Sequence, residues 1–525
     1  MGWSVGKSRA VTGGIAALLV LGAAGAAAAR PEAPCESMIN LKLAHVTVTE
    51  ARTVAGAPFG AAGQPAVPAY CRVLATARPT ADSEIRIEVA IPQGEAWNGR
   101  YLQVGNGGFA GSIPEGSILI GIAAGYATAG TDDGHHSAIG TDASWALGHP
   151  EKVVDFGYRA LKETTDAAKT IVAAHAGRAP RFAYFIGCSD GGREALMEAQ
   201  RYPDDFNGIV AGDPANNWTH LFAALAWNAQ ALNATPASAI PAVKLKALEA
   251  AALKACGDQD GVIENPLTCH FDPGVIRCTG ADTDQCLTTA QAAAARKIYA
   301  GARNPRTGAR ILAGYSPGGE AEPGGWSPWI TGPGAGAADR ALQSAFAHNL
   351  FAYVVFANPS YDIRGLNLDT DVRGADARLA PILNAYDPDL SAFRRHGGKL
   401  IQFHGWADPA IPARDSIDYF NLVQARMGDT SGFYRLFLAP GMLHCGGGRG
   451  PNAVNAPALA AIAEWVEKGE APARLTIAKY TDNDPQKPLE RTRPLCAFPK
   501  LAVWDRKGDR NRAESYLCKA PKKPA

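Results

Sequence analysis

The chain has 525 residues, 47% of them hydrophobic and 19% charged, which supports a large buried core and excludes a disordered polymer. A formal net charge of +1 gives no electrostatic footprint for nucleic acid or an anionic membrane, and Lys519, Lys522 and Lys523 read as a solvated tail. The length exceeds that of one ordinary domain, so more than one structural unit is expected.

Lys7 and Arg9 precede an apolar stretch from Val11 to Ala28, which ends in small residues at Ala27-Ala28-Ala29. This is the pattern of an export signal over residues 1–29. A retained membrane anchor is the competing reading, but no basic stop-transfer flank follows. The mature protein is expected to be secreted or periplasmic, with no membrane contact after signal removal.

The alternating run Ile85–Pro92 is the first strand pattern. A second, Arg100–Val104, runs into the glycine-rich Gly105-Asn106-Gly107-Gly108-Phe109-Ala110-Gly111. Apolar residues at helical spacing fill Val153 to Ala176. Arg181–Gly187 reads as a buried strand, Gly192–Tyr202 as a helix and Asn207–Gly212 as the next strand. The series predicts an α/β core with a mostly parallel sheet covered by helices.

From Ala215 to Asp387 the pattern changes to alanine-rich helices, four cysteines and loops rich in Gly, Pro and Trp. A large inserted lid over 215–387 is expected, dividing the core into 30–214 and 388–525. Strand patterns return at Lys399–Gly405, before Trp406-Ala407-Asp408-Pro409, and at Gly432–Leu438, before Pro440-Gly441-Met442-Leu443-His444-Cys445. A helix is expected from Asn455 to Lys468, and no solenoid repeat is visible.

Gly187-Cys188-Ser189-Asp190-Gly191 matches the turn that presents a nucleophilic serine between a strand and a helix. A serine hydroxyl needs a base within hydrogen-bond reach, and the base needs an orienting acid. His444 and Asp408 stand in the Ser…Asp…His chain order of this fold, each just past a predicted strand. His404 is the rival base and Asp415 the fallback acid; a satisfied core histidine and a turn-forming aspartate are the bland readings of His404 and Asp408. The backbone N–H of Asp190, with that of Gly107 or Gly108, is the candidate oxyanion hole.

Ten cysteines follow the signal: Cys35, Cys71, Cys188, Cys256, Cys269, Cys278, Cys286, Cys445, Cys496 and Cys518. An even number in an exported chain suggests disulfides, and no Cys-x-x-Cys pair suggests a zinc or redox site. Spacing favours local bridges 256/269, 278/286 and 496/518 but fixes no connectivity. Cys188 and Cys445 each adjoin a candidate catalytic residue. A bridge between them would hold Ser189 and His444 within about 14 Å, from bonded Cα separations of about 4.4–6.8 Å and two chain steps of about 3.8 Å.

With Cys188-Ser189, Asp408 and His444-Cys445, the chain resembles the tannase/feruloyl esterase family over nearly all of its mature length. The Gly105–Gly108 loop, the Thr131-Asp132-Asp133-Gly134-His135 stretch and the lid resemble it too. The resemblance implies an α/β-hydrolase core, and bridges Cys35–Cys71, Cys188–Cys445, Cys256–Cys269, Cys278–Cys286 and Cys496–Cys518. It also implies a lid that sets specificity, with Trp326, Trp329, Phe351 and Tyr353 as candidates to flank an aromatic ring, or else to form lid core.

Relatives often hold a structural calcium in a lid loop that is shorter here, Cys256-Gly257-Asp258-Gln259-Asp260-Gly261-Val262-Ile263. Asp260 and the Val262 carbonyl match later ligands, while two earlier carboxylates are missing unless Asp258 replaces one. A plain turn closed by a Cys256–Cys269 bridge is the alternative.

The implied function is a serine esterase acting on small esters of hydroxycinnamic or gallic acids through an acyl-enzyme, with no catalytic cofactor. A hydrolase of mono(2-hydroxyethyl) terephthalate-like monoesters, a serine peptidase and a catalytically silent binding protein are the other readings.

Overall fold

The computed structural model describes residues 31–58, 66–257, 260–333 and 338–521. The proposed export signal lies outside the described residues. A nine-stranded sheet organises the chain in the order β1-β2-β3-β5-β4-β6-β7-β8-β9. Its strands are β1 Val46–Val54, β2 Tyr70–Ala77, β3 Ile85–Pro92, β4 Arg100–Val104, β5 Ala127–Thr131, β6 Phe182–Cys188, β7 Gly208–Gly212, β8 Lys399–Gly405 and β9 Tyr434–Ala439.

From β5 to β9 every neighbouring pair is parallel, while β1, β2 and β3 attach antiparallel at one side. All five residues of β7 and six of the seven in β8 are buried, as expected of strands covered by helices on both faces. Their continuous apolar runs therefore stand out in the sequence. The strands β1, β2 and β5 carry weaker patterns, because Arg, Thr and Ala interrupt them.

Chain order doubles back around β4: β5 lies on one side and β6 on the other. Such a reversal opens a crevice at the carboxyl ends of parallel strands. The glycine-rich loop follows β4 and Ser189 follows β6, so both face this crevice. The helix after Ser189 runs over Asp190–Arg201, two residues earlier than its pattern suggests. The long helix before β6 is split by a wide π turn, Asp155–Arg159, between Pro150–Val154 and Ala160–Ala176.

Between β7 and β8 the described residues add no strand to the main sheet. Helices Trp218–Leu232, Ala242–Cys256, Thr289–Ala300, Leu342–Asn349 and Thr370–Leu383 fill the insertion. Its core is continuous with the rest: Phe109 and Phe156 pack in one cluster with Trp218, Phe222, Leu350 and Phe351. After the helix Asn455–Lys468, two hairpins close the chain, β10 Arg474–Tyr480 with β11 Leu489–Cys496 and β12 Leu501–Trp504 with β13 Tyr516–Lys519.

All ten cysteines are paired, in the five bridges that the resemblance implied. No helix among the described residues is long and apolar enough to cross a membrane.

Candidate active site

Ser189 sits at φ 65° and ψ −120°, a backbone conformation that an L-residue adopts only when its surroundings enforce it. Its N–H donates to the Gly212 carbonyl at 3.0 Å, and its carbonyl accepts from Ala215 N–H at 3.0 Å. Glycine is required on both sides of the turn. A Cβ at Gly187 would lie 2.3 Å from the Gly191 oxygen, and one at Gly191 would lie 2.8 Å from the Asn106 oxygen. The Gly191 N–H donates to that Asn106 oxygen at 2.8 Å, which joins the serine turn to the glycine-rich loop.

The three segments brought to the crevice form one hydrogen-bonded row. His444 Nε2 lies 2.9 Å from Ser189 Oγ, and Nδ1 lies 2.8 Å from Asp408 Oδ2. A carboxylate only accepts, so Nδ1 carries the hydrogen and Nε2 accepts from the serine hydroxyl. Asp408 Oδ1 accepts the N–H groups of Ala410 at 2.7 Å and Ile411 at 3.0 Å. Burial alone would raise the Asp408 pKa, but His444, His404 and their hydrogen bonds hold it well below the usual carboxylate range. Burial would lower the His444 pKa, yet the Asp408 carboxylate and its hydrogen bond more than offset this and raise it. Asp415 faces Tyr386 instead, at 3.3 Å.

The bridge Cys188–Cys445 has a Cα separation of 5.9 Å and spans 257 residues. Asp213, just past β7, braces it. Its Oδ2 accepts the Cys445 N–H at 2.8 Å, and its Oδ1 accepts the Gly405 N–H at 2.6 Å. No sequence reading singled out Asp213, although its place after a buried strand was a usable signal.

Asp190 opens the helix after Ser189, where N–H groups lack intrahelical partners. Its carboxylate accepts from Arg193 Nε at 2.6 Å. Arg193 is fully buried and donates to the Gly157 and Phe156 carbonyls at 2.9 and 3.0 Å, on the π turn. Beneath lie the buried carboxyl groups of Asp133 and Glu194. Burial pushes Asp133 up to about 7, and burial with the neighbouring carboxylates Asp133 and Asp190 pushes Glu194 well up. Glu194 Oε2 accepts the Asn106 N–H at 3.1 Å, so this cluster supports the glycine-rich loop from behind.

A narrow cavity of about 70 Å³ opens on Ser189 and is lined by Gly108 and Asp190. Its walls are Trp218, Leu221, Phe222 and Leu225 of one helix, together with Trp329 and Phe346. Larger cavities lie beside His220, about 410 Å³, and near Trp406 and Phe498, about 180 Å³. Neither is lined by Ser189 or His444, so geometry and not size selects the site.

Trp329 stands edge-on to His444 at 5.2 Å. The other three aromatic candidates for substrate contact are corrected by their placement. Trp326 packs against Tyr299 at 5.1 Å and is 2% exposed. Phe351 is fully buried in the lid core, and Tyr353 packs against His348 at 6.2 Å. The wide turn Ser327–Thr331 carries Trp329 toward His444 and leaves Trp326 facing inward. The residues overlooked, Trp218, Phe222 and Leu225, share one face at i, i+4 and i+7 spacing.

The lid loop left open between a calcium site and a plain turn is described only in part. Asp260 is ion-paired with Arg493 of β11, and Arg510 lies 3.9 Å away. No group of three or more Asp, Glu, His or Cys side chains gathers there among the described residues, whereas calcium takes six to eight oxygens. The Val262 side chain packs beside Gly441, which leaves the reading of its carbonyl as a ligand open, and Asp258 lies outside the described residues.

This parallel sheet, with a serine turn after β6 and a histidine after β9, defines an α/β-hydrolase. A family model described as "Tannase and feruloyl esterase" matches residues 71–519. An uncharacterised esterase of Xanthomonas campestris is 42% identical over 93% of this chain and 92% of its own. A mono(2-hydroxyethyl) terephthalate hydrolase of Piscinibacter sakaiensis is 32% identical over 90% and 89%. The crystal structure of feruloyl esterase B from Aspergillus oryzae superposes with a TM-score of 0.82 at 26% identity, covering 92% of this chain and 99% of that one. The chain belongs to the tannase and feruloyl esterase family and is a carboxylic ester hydrolase.

Two outcomes follow for the strap and the lid loop. Replacing Cys188 and Cys445 together by alanine is expected to cost about 2–5 kcal/mol of stability, read as a lower Tm, and to lower kcat at least tenfold through looser placement of Ser189. A double variant with unchanged kcat would show the strap to be dispensable for the reaction. EDTA is expected to leave the Tm unchanged, whereas Arg493→Met is expected to lower it by removing an ion-pair partner of Asp260. A fall in Tm on chelation alone would favour a calcium site in this loop.

Proposed function

We propose that the protein is an exported serine esterase for hydroxycinnamate-type esters, with Ser189 as nucleophile, His444 as base and Asp408 as orienting acid. The observation that carries this reading is the row Ser189 Oγ–His444 Nε2 at 2.9 Å and His444 Nδ1–Asp408 Oδ2 at 2.8 Å. Five disulfides support folding in an oxidising compartment, and residues 1–29 supply the signal.

In this mechanism Ser189 Oγ attacks the ester carbonyl while its proton passes to His444 Nε2. The imidazolium formed is stabilised by Asp408. The N–H of Asp190 and that of Gly107 or Gly108 hold the oxyanion; loss of one such donor costs about 10²–10³ in kcat. His444 then gives its proton to the departing alcohol, leaving the acyl-serine. Water attacks the acyl carbon, its proton passes to His444, and collapse of the second tetrahedral intermediate returns that proton to Ser189 Oγ.

The acid half of the ester would enter the aromatic cavity. Trp218 and Phe222 stack at 4.7 Å, and Trp329 and Phe346 at 6.2 Å, so flat apolar surfaces line the slot. Among the described residues the only charged side chain lining it is Asp190, which is already committed to Arg193. A para-carboxylate would be desolvated there without a cation, and the three hydroxyls of a gallate would lack partners. A phenylpropenoate with one or two ring oxygens suits the walls better.

A hydrolysis panel tests the reading. Methyl ferulate and methyl p-coumarate are expected to exceed methyl gallate and mono(2-hydroxyethyl) terephthalate in kcat/KM by at least about tenfold. Equal or faster turnover of the terephthalate monoester would reverse the assignment of substrate. Ser189→Ala is expected to lower kcat by about 10⁴ or more, and retained turnover would remove Ser189 from the chemistry. The base works only when neutral, so kcat/KM should fall as pH drops through the raised His444 pKa, above the ordinary value of about 6.5.

A further inference from the structure

A second imidazole lies directly behind Asp408. His404, in β8, is fully buried. Its Nε2 lies 3.0 Å from the Ile411 carbonyl oxygen, 3.2 Å from Asp408 Oδ2 and 3.7 Å from Asp213 Oδ1. A carbonyl and an ionised carboxylate only accept, so Nε2 carries a hydrogen. Its Nδ1 lies 2.7 Å from Ser416 Oγ, which Gln402 Nε2 also approaches to 2.7 Å.

Asp408 Oδ2 thus receives two imidazoles, His444 on the crevice side and His404 from below. Asp213 touches the same imidazole and also accepts the Cys445 N–H beside the strap. The ester mechanism uses neither His404 nor Asp213. Yet two buried carboxylates share one imidazole, and with that ring neutral their charges would face each other in a low-dielectric interior.

We propose that His404 and Asp213 are positioning residues of the hydrolytic site, with His404 held as a buried cation between Asp213 and Asp408. A row His444–Asp408–His404–Asp213 then runs from the base to the disulfide strap. The inference rests on the reading of Ser189, His444 and Asp408 given above.

The row sets the strength of the base. The negative charges of Asp408 and Asp213 raise the His444 pKa and the charge on His404 lowers it, so the base is kept nearer neutrality than two carboxylates alone would leave it. Other ionisable groups facing His404 are few. Asp415, on the helix Ala413–Met427, is pushed up to about 6, first by burial and then by Asp418, and accepts from Tyr386. Burial opposes charge on His404, and Asp213 and Asp408 outweigh it. Burial likewise pushes Asp213 up to about 6, against the pull of His404.

The test is the acid limb of kcat/KM in two variants. In His404→Gln the limb should move to higher pH, because the cation is gone. In Asp213→Asn it should move to lower pH, because an anion is gone. Each shift should be on the order of half to one pH unit, with KM changing less than about threefold and kcat falling about tenfold. A merely structural role would not produce shifts of opposite sign.

Limbs that stay in place, or that move the same way in both variants, would overturn the proposal. Should either variant fail to fold, imidazole ¹⁵N shifts of the unmodified protein decide. His404 doubly protonated at neutral pH supports the proposal, and neutral His404 overturns it. Ser189→Ala and His444→Ala serve as controls. Turnover that survives them removes the parent reading, whereas turnover lost there with unmoved limbs removes only this inference.

Discussion

Cys188 and Cys445 are bonded across 257 residues, and their chain neighbours Ser189 and His444 stand 2.9 Å apart. Ser189 leaves the end of β6 and His444 follows β9, with β7 and β8 between them in the sheet. Strand spacing alone would place these ends about three strand widths apart, on the order of 14 Å. The loop after β9 must therefore reach back over the sheet edge, and the bridge holds it there. Asp213 makes the bridge part of the sheet, since it takes the Cys445 N–H and the Gly405 N–H on its two oxygens. The positive φ of both Asp213 and Cys445 shows how sharply the chain bends at these points.

The insertion between β7 and β8 depends on the same crevice. Its first helix, Trp218–Leu232, starts six residues after β7 ends, so its aromatic face is delivered directly over Ser189. That face is also structural: Phe109, Phe156, Trp218 and Phe222 form contacts of 4.7–6.1 Å that join the core to the insertion. A residue that lines the cavity over Ser189 is thus also a residue that joins the insertion to the core. Substitutions there are expected to change the cavity and the stability together.

Where a residue's position leaves a local signature, the sequence points to where the structure places it. Ser189, Asp408 and His444 each follow a buried parallel strand, and such strands are continuous apolar runs that stand out from their flanks. The glycine-rich loop was legible for the same reason, since close backbone approach excludes side chains. The lid aromatics were not legible, because a tryptophan that lines a slot and one that fills a core have the same composition. Trp326 and Trp329 are three residues apart and face different environments, which only the path of the turn decides. Asp213 was hidden differently: its partners, Gly405, His404 and Cys445, lie about 190 to 230 residues away in sequence, and His404 stood out only as a rival base or a core histidine.

The lid loop shows how a departure from a family pattern can be compensated by charge. In this loop Asp260 is only partly exposed and calls for a counter-charge. Arg493 supplies that charge from β11, and its guanidinium also sits over the Tyr516 ring at 4.2 Å. Because β11 is tied to β13 by Cys496–Cys518, the arginine is held by a rigid support. A guanidinium is a fixed cation that needs no external ion, so the junction of lid and C-terminal hairpins is expected to be independent of metal supply. The same ion pair ties the insertion to a part of the chain that follows the sheet, so that the insertion is braced both at the crevice and at its far edge.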